Sequence, residues 1–474
     1  MKTKGRIVQI LAVISLIMAM LITSMSAAWA ESAPGVDWQK TYDVQGTGDG
    51  WGMQQTSDGG YILVGTADSS GSPDVCLVKT DTNGNTTWSH TYGIGTSSKG
   101  YGVAQTSDGG YIVTGSVKQD NTNKILLMKI GEDGTQAWNK TFGSSDPGNV
   151  EDGGYSVRQM SNGGFIIAAE YPYPSSQHEG LYMIRTDANG NVQSQTMTGK
   201  NADIIAPSLD LTSDGGCIVA ATIDTSGSGN DIYLIKFDSS GGTTWEKSIG
   251  GSGDQYCGDG GSVQQTTDGG YIIAGQNGDA YLTKTDSSGN VAWSKQYNDT
   301  GRANSVEQTD DGGYVFATSD NNQLTIVKTD STGGETWRQS GTMGGSEAKA
   351  VLQTTDDGYT AFGTTNGDFY LMKLNPPAAA ATGTDNGQLL SGFGNLFSGF
   401  SFPSFGSSQA TVSSPTSNFG LSFGNSLFST PTYNWLNNDN AANGLSSKVS
   451  LLPDLSVSHF SLGSSMNNFN WPFG

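Results

Sequence analysis

One turn, Asp-Gly-Gly followed by an aromatic residue, recurs seven times and constrains the fold more than any other feature. It stands as Ser57-Asp58-Gly59-Gly60-Tyr61, Ser107-Asp108-Gly109-Gly110-Tyr111 and Thr267-Asp268-Gly269-Gly270-Tyr271. Variants are Ser161-Asn162-Gly163-Gly164-Phe165, Ser213-Asp214-Gly215-Gly216-Cys217, Asp310-Asp311-Gly312-Gly313-Tyr314 and Thr355-Asp356-Asp357-Gly358-Tyr359. The last glycine falls at 60, 110, 164, 216, 270, 313 and 358, a period of 43 to 54 residues. A repeat of this length marks an architecture whose units cover one another's apolar faces.

Each unit holds four short strand candidates. The first ends in Gln-Thr, as in Val103-Ala104-Gln105-Thr106. The second follows the double glycine and is apolar throughout, as in Tyr61-Ile62-Leu63-Val64. The third ends in Lys-x-Asp, as in Leu77-Val78-Lys79-Thr80-Asp81, and a glycine turn leads to a fourth opened by Trp88, Trp138, Trp245, Trp293 or Trp337. Asp opens a tight turn and glycine accepts positive φ, so both turns read as hairpins. A strand apolar on both faces is covered on both sides. The connections are too short for crossover helices, so the sheets are antiparallel. Glycine, 68 of 474 residues, disfavours helix as well.

These constraints describe an all-β, seven-bladed β-propeller over residues 31–375. The seventh unit stops at Leu371-Met372-Lys373-Leu374-Asn375 with no tryptophan strand after it, whereas Asp37-Trp38-Gln39-Lys40-Thr41-Tyr42 precedes the first unit. That segment matches Trp88-Ser89-His90-Thr91-Tyr92, so the N-terminal strand is expected to complete the last blade and close the ring. Blade 3 has no tryptophan at Asn191-Val192-Gln193, and blade 4 lacks the usual glutamine in Leu209-Asp210-Leu211-Thr212, which predicts less regular packing there.

The Asp-Gly-Gly-Tyr turns and the Asp-x-x-Gly-x-x-x-Trp turns, such as Asp286-Ser287-Ser288-Gly289-Asn290-Val291-Ala292-Trp293, resemble those of bacterial and archaeal exported cell-surface propellers with quinoprotein-like repeats. The resemblance implies a structural repeat whose tryptophan docks neighbouring blades. It does not imply quinone chemistry. That site also needs calcium and, in the alcohol-oxidising branch, adjacent cysteines, and Cys76, Cys217 and Cys257 are far apart in sequence.

The ends are different material. Lys2, Lys4 and Arg6, an apolar run from Ile7 to about Ile22, and Ala28-Trp29-Ala30 read as a signal peptide over residues 1–30, with an uncleaved anchor as the alternative. No later run is long enough to span a membrane. A secreted or cell-surface location is therefore expected. Residues 376–474 form a Gly/Ser/Asn/Phe-rich low-complexity tail carrying 11 of the 17 phenylalanines. Uncharged and dotted with aromatics, it is expected to contact the envelope, a partner or itself. The formal net charge is −21, which excludes nucleic acid as a natural partner.

Candidate sites are sparse. His90, His178 and His459 have no metal spacing, and no nucleophilic triad can be assembled. No cofactor is expected. Calcium is the one alternative, because Asp81-Thr82-Asn83-Gly84-Asn85 and Asp187-Ala188-Asn189-Gly190-Asn191 loosely resemble calcium loops while lacking the distal glutamate. One bridge between Cys217 and Cys257 competes with three free thiols. The recurring Gln55, Gln105, Gln159, Gln265, Gln308 and Gln353 are expected to satisfy backbone groups between blades. The longest second-to-third connection, Tyr171 to Gly180, offers Tyr171, Tyr173 and His178 as ligand-binding candidates for a glycan or peptide. Asp68, Asp74, Asp120, Asp224, Asp231 and Asp279 should make that rim acidic. The expected function is a non-catalytic binding, adhesion or envelope scaffold. The alternative is a polysaccharide-acting enzyme with inward-facing carboxylates at the channel mouth.

Overall fold

The computed structural model describes residues 32–69, 71–143, 153–172, 179–198, 203–224, 229–250, 253–258 and 261–377. Residues 1–31 and 378–474 lie outside them. Among the described residues there are strands and turns and no helix, hence none long and apolar enough to cross a membrane.

The strands form seven antiparallel sheets. Blade 1 consists of Thr47–Gln55, Tyr61–Asp68, Asp74–Thr80 and Thr86–Tyr92, in that order from the inside outward. Blades 2, 3 and 4 repeat this over 97–142, 153–198 and 203–249. Blades 5 and 6 span 256–297 and 305–344, with the innermost strand of blade 5 split into Tyr256–Cys257 and Val263–Gln265. Blade 7 is made of Ser346–Gln353, Tyr359–Thr365, Asp368–Leu374 and, as its outer strand, Val36–Tyr42. Trp38 pairs with Lys373 and Lys40 with Leu371, so the expected ring closure is present.

Local chemistry explains each hairpin. In blade 1 the Asp58 carboxylate accepts hydrogen bonds from Thr56 Oγ1 at 2.5 Å and from the Gly60 N–H at 3.0 Å. Gly59 has φ +81°, the left-handed region that glycine enters freely. A Cβ on Gly60 would collide with the Thr80 carbonyl and with Lys79 Nζ. That space belongs to Lys79, whose buried side chain donates to Asp58 at 2.7 Å and to the Thr80 carbonyl at 2.8 Å. The same hook joins Lys129 to Asp108, Lys236 to Asp214, Lys284 to Asp268, Lys328 to Asp311 and Lys373 to Asp356. This is the physical content of the Lys-x-Asp signature.

Two further contacts join blade to blade. Each outer-strand tryptophan packs on the next blade's turn aromatic. Trp38 meets Tyr61, Trp88 meets Tyr111 and Trp138 meets Phe165, with ring centroids 5.8–6.2 Å apart. The ring also covers the glycine of the next Asp-x-x-Gly turn. A Cβ on Gly84 would lie 2.6 Å from Trp38, and one on Gly289 2.7 Å from Trp245. Each repeating glutamine accepts a turn N–H of the preceding blade: Gln105 from Ser57, Gln159 from Ser107, Gln265 from Ser213, Gln308 from Thr267 and Gln353 from Asp310, at 2.7–2.9 Å. Gln55 accepts from Thr355 at 3.0 Å and carries the link across the closure.

The junction between blades 3 and 4 lacks all of these. Leu211 replaces the glutamine, Ser194 the tryptophan and Cys217 the aromatic. What remains is an apolar cluster of the kind found at every junction, here including Ile166, Leu181, Met183, Leu209, Cys217 and Phe237, with Leu211 packed against it. The seam also has polar contacts of its own: Arg158 pairs with Asp210, and the Glu170 carboxylate accepts the Ala206 N–H. The expected irregularity is thus a joint loss of the repeating latches, with contacts particular to this seam in their place.

Gly312 and Gly84 separate backbone strain from the tryptophan contact. Both have positive φ, but a Cβ at Gly312 meets open space. Gly312→Ala should cost about 1–2 kcal/mol for the left-handed conformation. Gly84→Ala should lower the urea midpoint clearly further, because Trp38 must also move. Equal losses would show that the indole does not press on this turn.

Candidate functional site

The innermost strands surround an axial channel of about 360 Å³. Three repeat positions on these strands decide its chemistry.

Nine residues before the second turn glycine stand Trp51, Tyr101, Tyr155, Pro207, Gly261, Asn304 and Lys349. In blades 1, 2, 3 and 7 this residue is the extra one of a β-bulge: register shifts fall between Gly50 and Gly52, Gly100 and Gly102, Gly154 and Ser156, and Ala348 and Ala350. A bulge leaves one residue unpaired and re-aims its side chain. Here it turns Trp51, Tyr101 and Tyr155 into the channel lining. The Tyr101 and Tyr155 rings stack at 5.0 Å with 5° between planes, and Trp51 meets Tyr101 edge-on at 5.0 Å. Lys349 Nζ lies 4.5 Å from the Trp51 ring centroid and pairs with Glu347 at 3.4 Å. Tyr155 donates to Glu170 at 3.0 Å. The result is a four-blade arc of aromatic and cationic side chains. Asp49 lies beside it, its carboxyl raised by burial, against the opposing pull of the Lys349 ammonium.

Six residues before the same glycine stand Gln54, Ala104, Arg158, Asp210, Gln264, Glu307 and Leu352. Gln54 and Gln264 each accept a backbone N–H of the next blade, from Gln105 and Gln308, at 2.6 Å. Asp210 and Glu307 do the same with Gln265 at 3.1 Å and Gln353 at 3.2 Å. The carboxylates therefore occupy places that amides fill elsewhere in the ring. Burial raises Asp210, opposed chiefly by Arg158, whose Nε is 4.0 Å away. Burial also pushes Glu307 up to about 7, with Asp310 and Asp210 adding to the rise and the Gln353 N–H opposing it. The third position, one residue further on, carries the inter-blade glutamines, which are occupied by turn N–H groups as expected.

The sequence-derived candidates fare differently. Tyr171 is half-buried in the strand Phe165–Pro172, its ring 5.0 Å from Tyr182 in the apolar cluster between blades 2 and 3. Tyr173 and His178 lie outside the described residues. The six rim aspartates do sit at the ends of second and third strands or on the hairpins between them. Asp81 Oδ1 accepts the N–H groups of Asn83 and Asn85 at 2.9 and 2.7 Å, and Asp187 repeats this with Asn189 and Asn191, so these carboxylates close their own turns. Among the described residues no group of three or more His, Cys, Asp or Glu side chains could hold a metal ion. Cys76, Cys217 and Cys257 are buried, no disulfide joins Cys217 to Cys257, and those two belong to different apolar clusters. Burial pushes the Cys76 and Cys217 thiols up to about 12.

The aromatic arc was missed by the sequence reading. Its available signal was an aromatic residue between small ones, Gly50-Trp51-Gly52, Gly100-Tyr101-Gly102 and Gly154-Tyr155-Ser156, at one offset in three consecutive units.

No known family profile matches the chain, and no curated protein matches it by sequence. Solved structures match it by shape. A streptogramin B lyase structure aligns with TM-score 0.50 and 12% identity over 71% of this chain and 98% of that one. YCF48 bound to D1 peptide aligns with TM-score 0.44 and 12% identity over 72% and 99%. Sqt1 of Chaetomium thermophilum, bound to the N-terminus of ribosomal protein L10, aligns with TM-score 0.45 and 10% identity over 72% and 100%. At such identities the likeness shows the propeller fold and nothing of activity or ligand.

Two measurements check this site. The folded state holds the Glu307 proton more tightly than the unfolded state, so stability falls as pH rises from about 4.5 to 7, and the loss is complete above that. Glu307→Gln keeps the acceptor and removes the titration. It should match the parent near pH 4 and exceed it in urea midpoint at pH 8; a constant offset across this range would contradict the buried carboxyl. Titration of the protein with a thiol reagent, without reductant, should count no reactive thiol when native and three in denaturant.

Proposed function

We propose that this protein is a non-catalytic, exported binding propeller acting at the cell surface or after release, and that it takes an extended ligand, a glycan or a peptide segment, at the aromatic side of its axial channel. One observation carries the reading: three consecutive blades use a β-bulge to aim Trp51, Tyr101 and Tyr155 into the channel, where their rings form one contiguous cluster. The repeating glutamine and tryptophan latches lie at other positions. Rigid aromatic side chains with a polar tip give large contact area at low entropic cost. The basic, apolar and small-residue start of the chain supports export, and the repeat signature supports kinship with exported quinoprotein-like propellers. The phenylalanine-dotted tail is assigned the anchoring or self-association role. Unchanged surface retention after removal of residues 376–474 would reject that role.

A second reading, a polysaccharide-acting enzyme, has Glu307 in its favour, because a carboxyl raised to about 7 suits a general acid. Against it, Glu307 and Asp210 each accept an inter-blade N–H in the way Gln54 and Gln264 do.

A glycan and peptide array on the full chain, run beside a hydrolysis screen on the same polymers, separates the two. The binding reading expects retained ligand without turnover. Trp51→Ala and Tyr101→Ala should each weaken it by about thirtyfold, the size of a hot-spot loss of about 2 kcal/mol, with little change in unfolding midpoint. Turnover abolished by Glu307→Gln would establish the enzyme instead.

A further inference from the structure

Blade 2 carries a second concavity, unrelated to the aromatic arc. It encloses about 220 Å³ and is lined by Ser97, Lys99, Ser116, Lys118 and Asn123, with no apolar side chain among them. The strand register explains why they meet. Ser97 pairs with Lys118 and Lys118 with Asn123, while Lys99 pairs with Ser116. Residues two apart on a strand share a face, as do cross-strand partners, so all five project from one side of the sheet. Ser98, between Ser97 and Lys99, points the other way, its Oγ accepting the Val75 N–H of blade 1 at 3.3 Å. The pocket therefore lies on the face opposite blade 1.

Its charge is unusual for this chain. Acidic residues outnumber basic ones 44 to 23. The six hook lysines are each bound to a turn aspartate, Lys349 to Glu347, and Lys40 and Lys247 to turn asparagines. Lys140 and Lys295 lie beside Asp187 and Asp330, whose carboxyls they help to hold low. Lys99 and Lys118, in contrast, make no ion pair or side-chain hydrogen bond among the described residues; Lys124, on the other face of the hairpin, makes none either. The acids on the same strands and hairpins are Asp120, exposed at the hairpin tip, and Asp108, tied to Lys129 at the opposite end.

We propose that this pocket binds an oxyanion: a sulfate, phosphate or carboxylate group. Two ammonium groups supply charge-assisted donors, and two hydroxyls supply neutral donors around the same space. The volume is several times the share of about 30 Å³ that one water takes in the liquid, so a multi-atom anion fits. A rim that is otherwise acidic makes this corner selective, repelling anions everywhere except where two lysines stand together.

Isothermal titration calorimetry on the full chain tests the site, using sodium sulfate, inorganic phosphate and acetate at constant ionic strength set with chloride. Saturable binding of at least one anion is expected. Lys99→Gln with Lys118→Gln should abolish it, and Ser97→Ala with Ser116→Ala, which keeps both charges, should weaken it by about tenfold, the loss expected from removing neutral donors. Lys124→Gln, on the other face of the same hairpin, should bind as the parent does. Circular dichroism and urea midpoints confirm that each variant is folded. No saturable binding by the parent, equal binding by the double lysine variant, or an equal loss in Lys124→Gln would overturn the site. Binding by any of the three anions that requires both lysines supports it. Neither result bears on the Trp51 variants.

Discussion

Every blade in this ring has two apolar faces, and neither can be left to water. The second strand of blade 1 shows the demand: Tyr61, Ile62, Leu63 and Val64 are all essentially inaccessible. A linear stack would expose one such face at each end, whereas a closed ring exposes none. The pairing of Val36–Tyr42 with Asp368–Leu374 is therefore the contact on which the others depend. It brings the chain's first and last described strands into one sheet and sets Trp38 on the Gly84 turn of blade 1. The Gln55 and Thr355 hydrogen bond then crosses the same seam at the inner end.

The latches run in one sense around the ring, each blade's tryptophan and turn N–H reaching the next blade. Directional contacts of this kind need the same residue types at every junction, and that need is what wrote the repeat into the sequence. The exception is informative. Between blades 3 and 4 the glutamine, tryptophan and aromatic are all replaced together, by Leu211, Ser194 and Cys217. With all three gone, Leu211 packs half-buried against the apolar cluster of this seam, and Arg158–Asp210 and Glu170–Ala206 contacts cross the same junction. The Cys217 thiol belongs to this packing, and its raised pKa reflects an apolar setting and not a reactive one.

Most of the fold was legible because it depends on local turn chemistry and on periodicity. Asp58-Gly59-Gly60 marks a hairpin without reference to anything distant, and Trp38 matches Trp88 by simple alignment of units. The Lys-x-Asp signature was visible but its meaning was not: Lys79 acts on Asp58, a partner 21 residues away across the hairpin. The aromatic arc was illegible for another reason. A bulge inserts one residue into the register, so the two-residue alternation that sequence reading relies on fails at Trp51, Tyr101 and Tyr155. The blade 2 pocket needs the pairing of three strands before Lys99 and Lys118 share a face, and composition pointed the other way, toward a wholly acidic rim. Tyr171 reads from its neighbouring prolines as a loop residue, whereas it lies in the strand Phe165–Pro172 with its ring 5.0 Å from Tyr182.

The inner strands separate holding from lining, which is how a repeat protein acquires an asymmetric interior. Gln55 and its equivalents are tied to turn N–H groups, and change there breaks a junction unless the seam is rebuilt. The positions four residues earlier, from Trp51 to Lys349, stand outside the repeating latches and vary from indole to phenol to glycine to ammonium. The intermediate position tolerates exchange of amide for carboxylate because either accepts the same N–H, as Gln264 and Glu307 show in adjacent blades. Aromatic character consequently gathers on blades 1 to 3, and buried negative charge on blades 4 and 6, inside a frame that is nearly sevenfold. A ligand in this channel meets a wall that differs on every side, although the frame around it repeats.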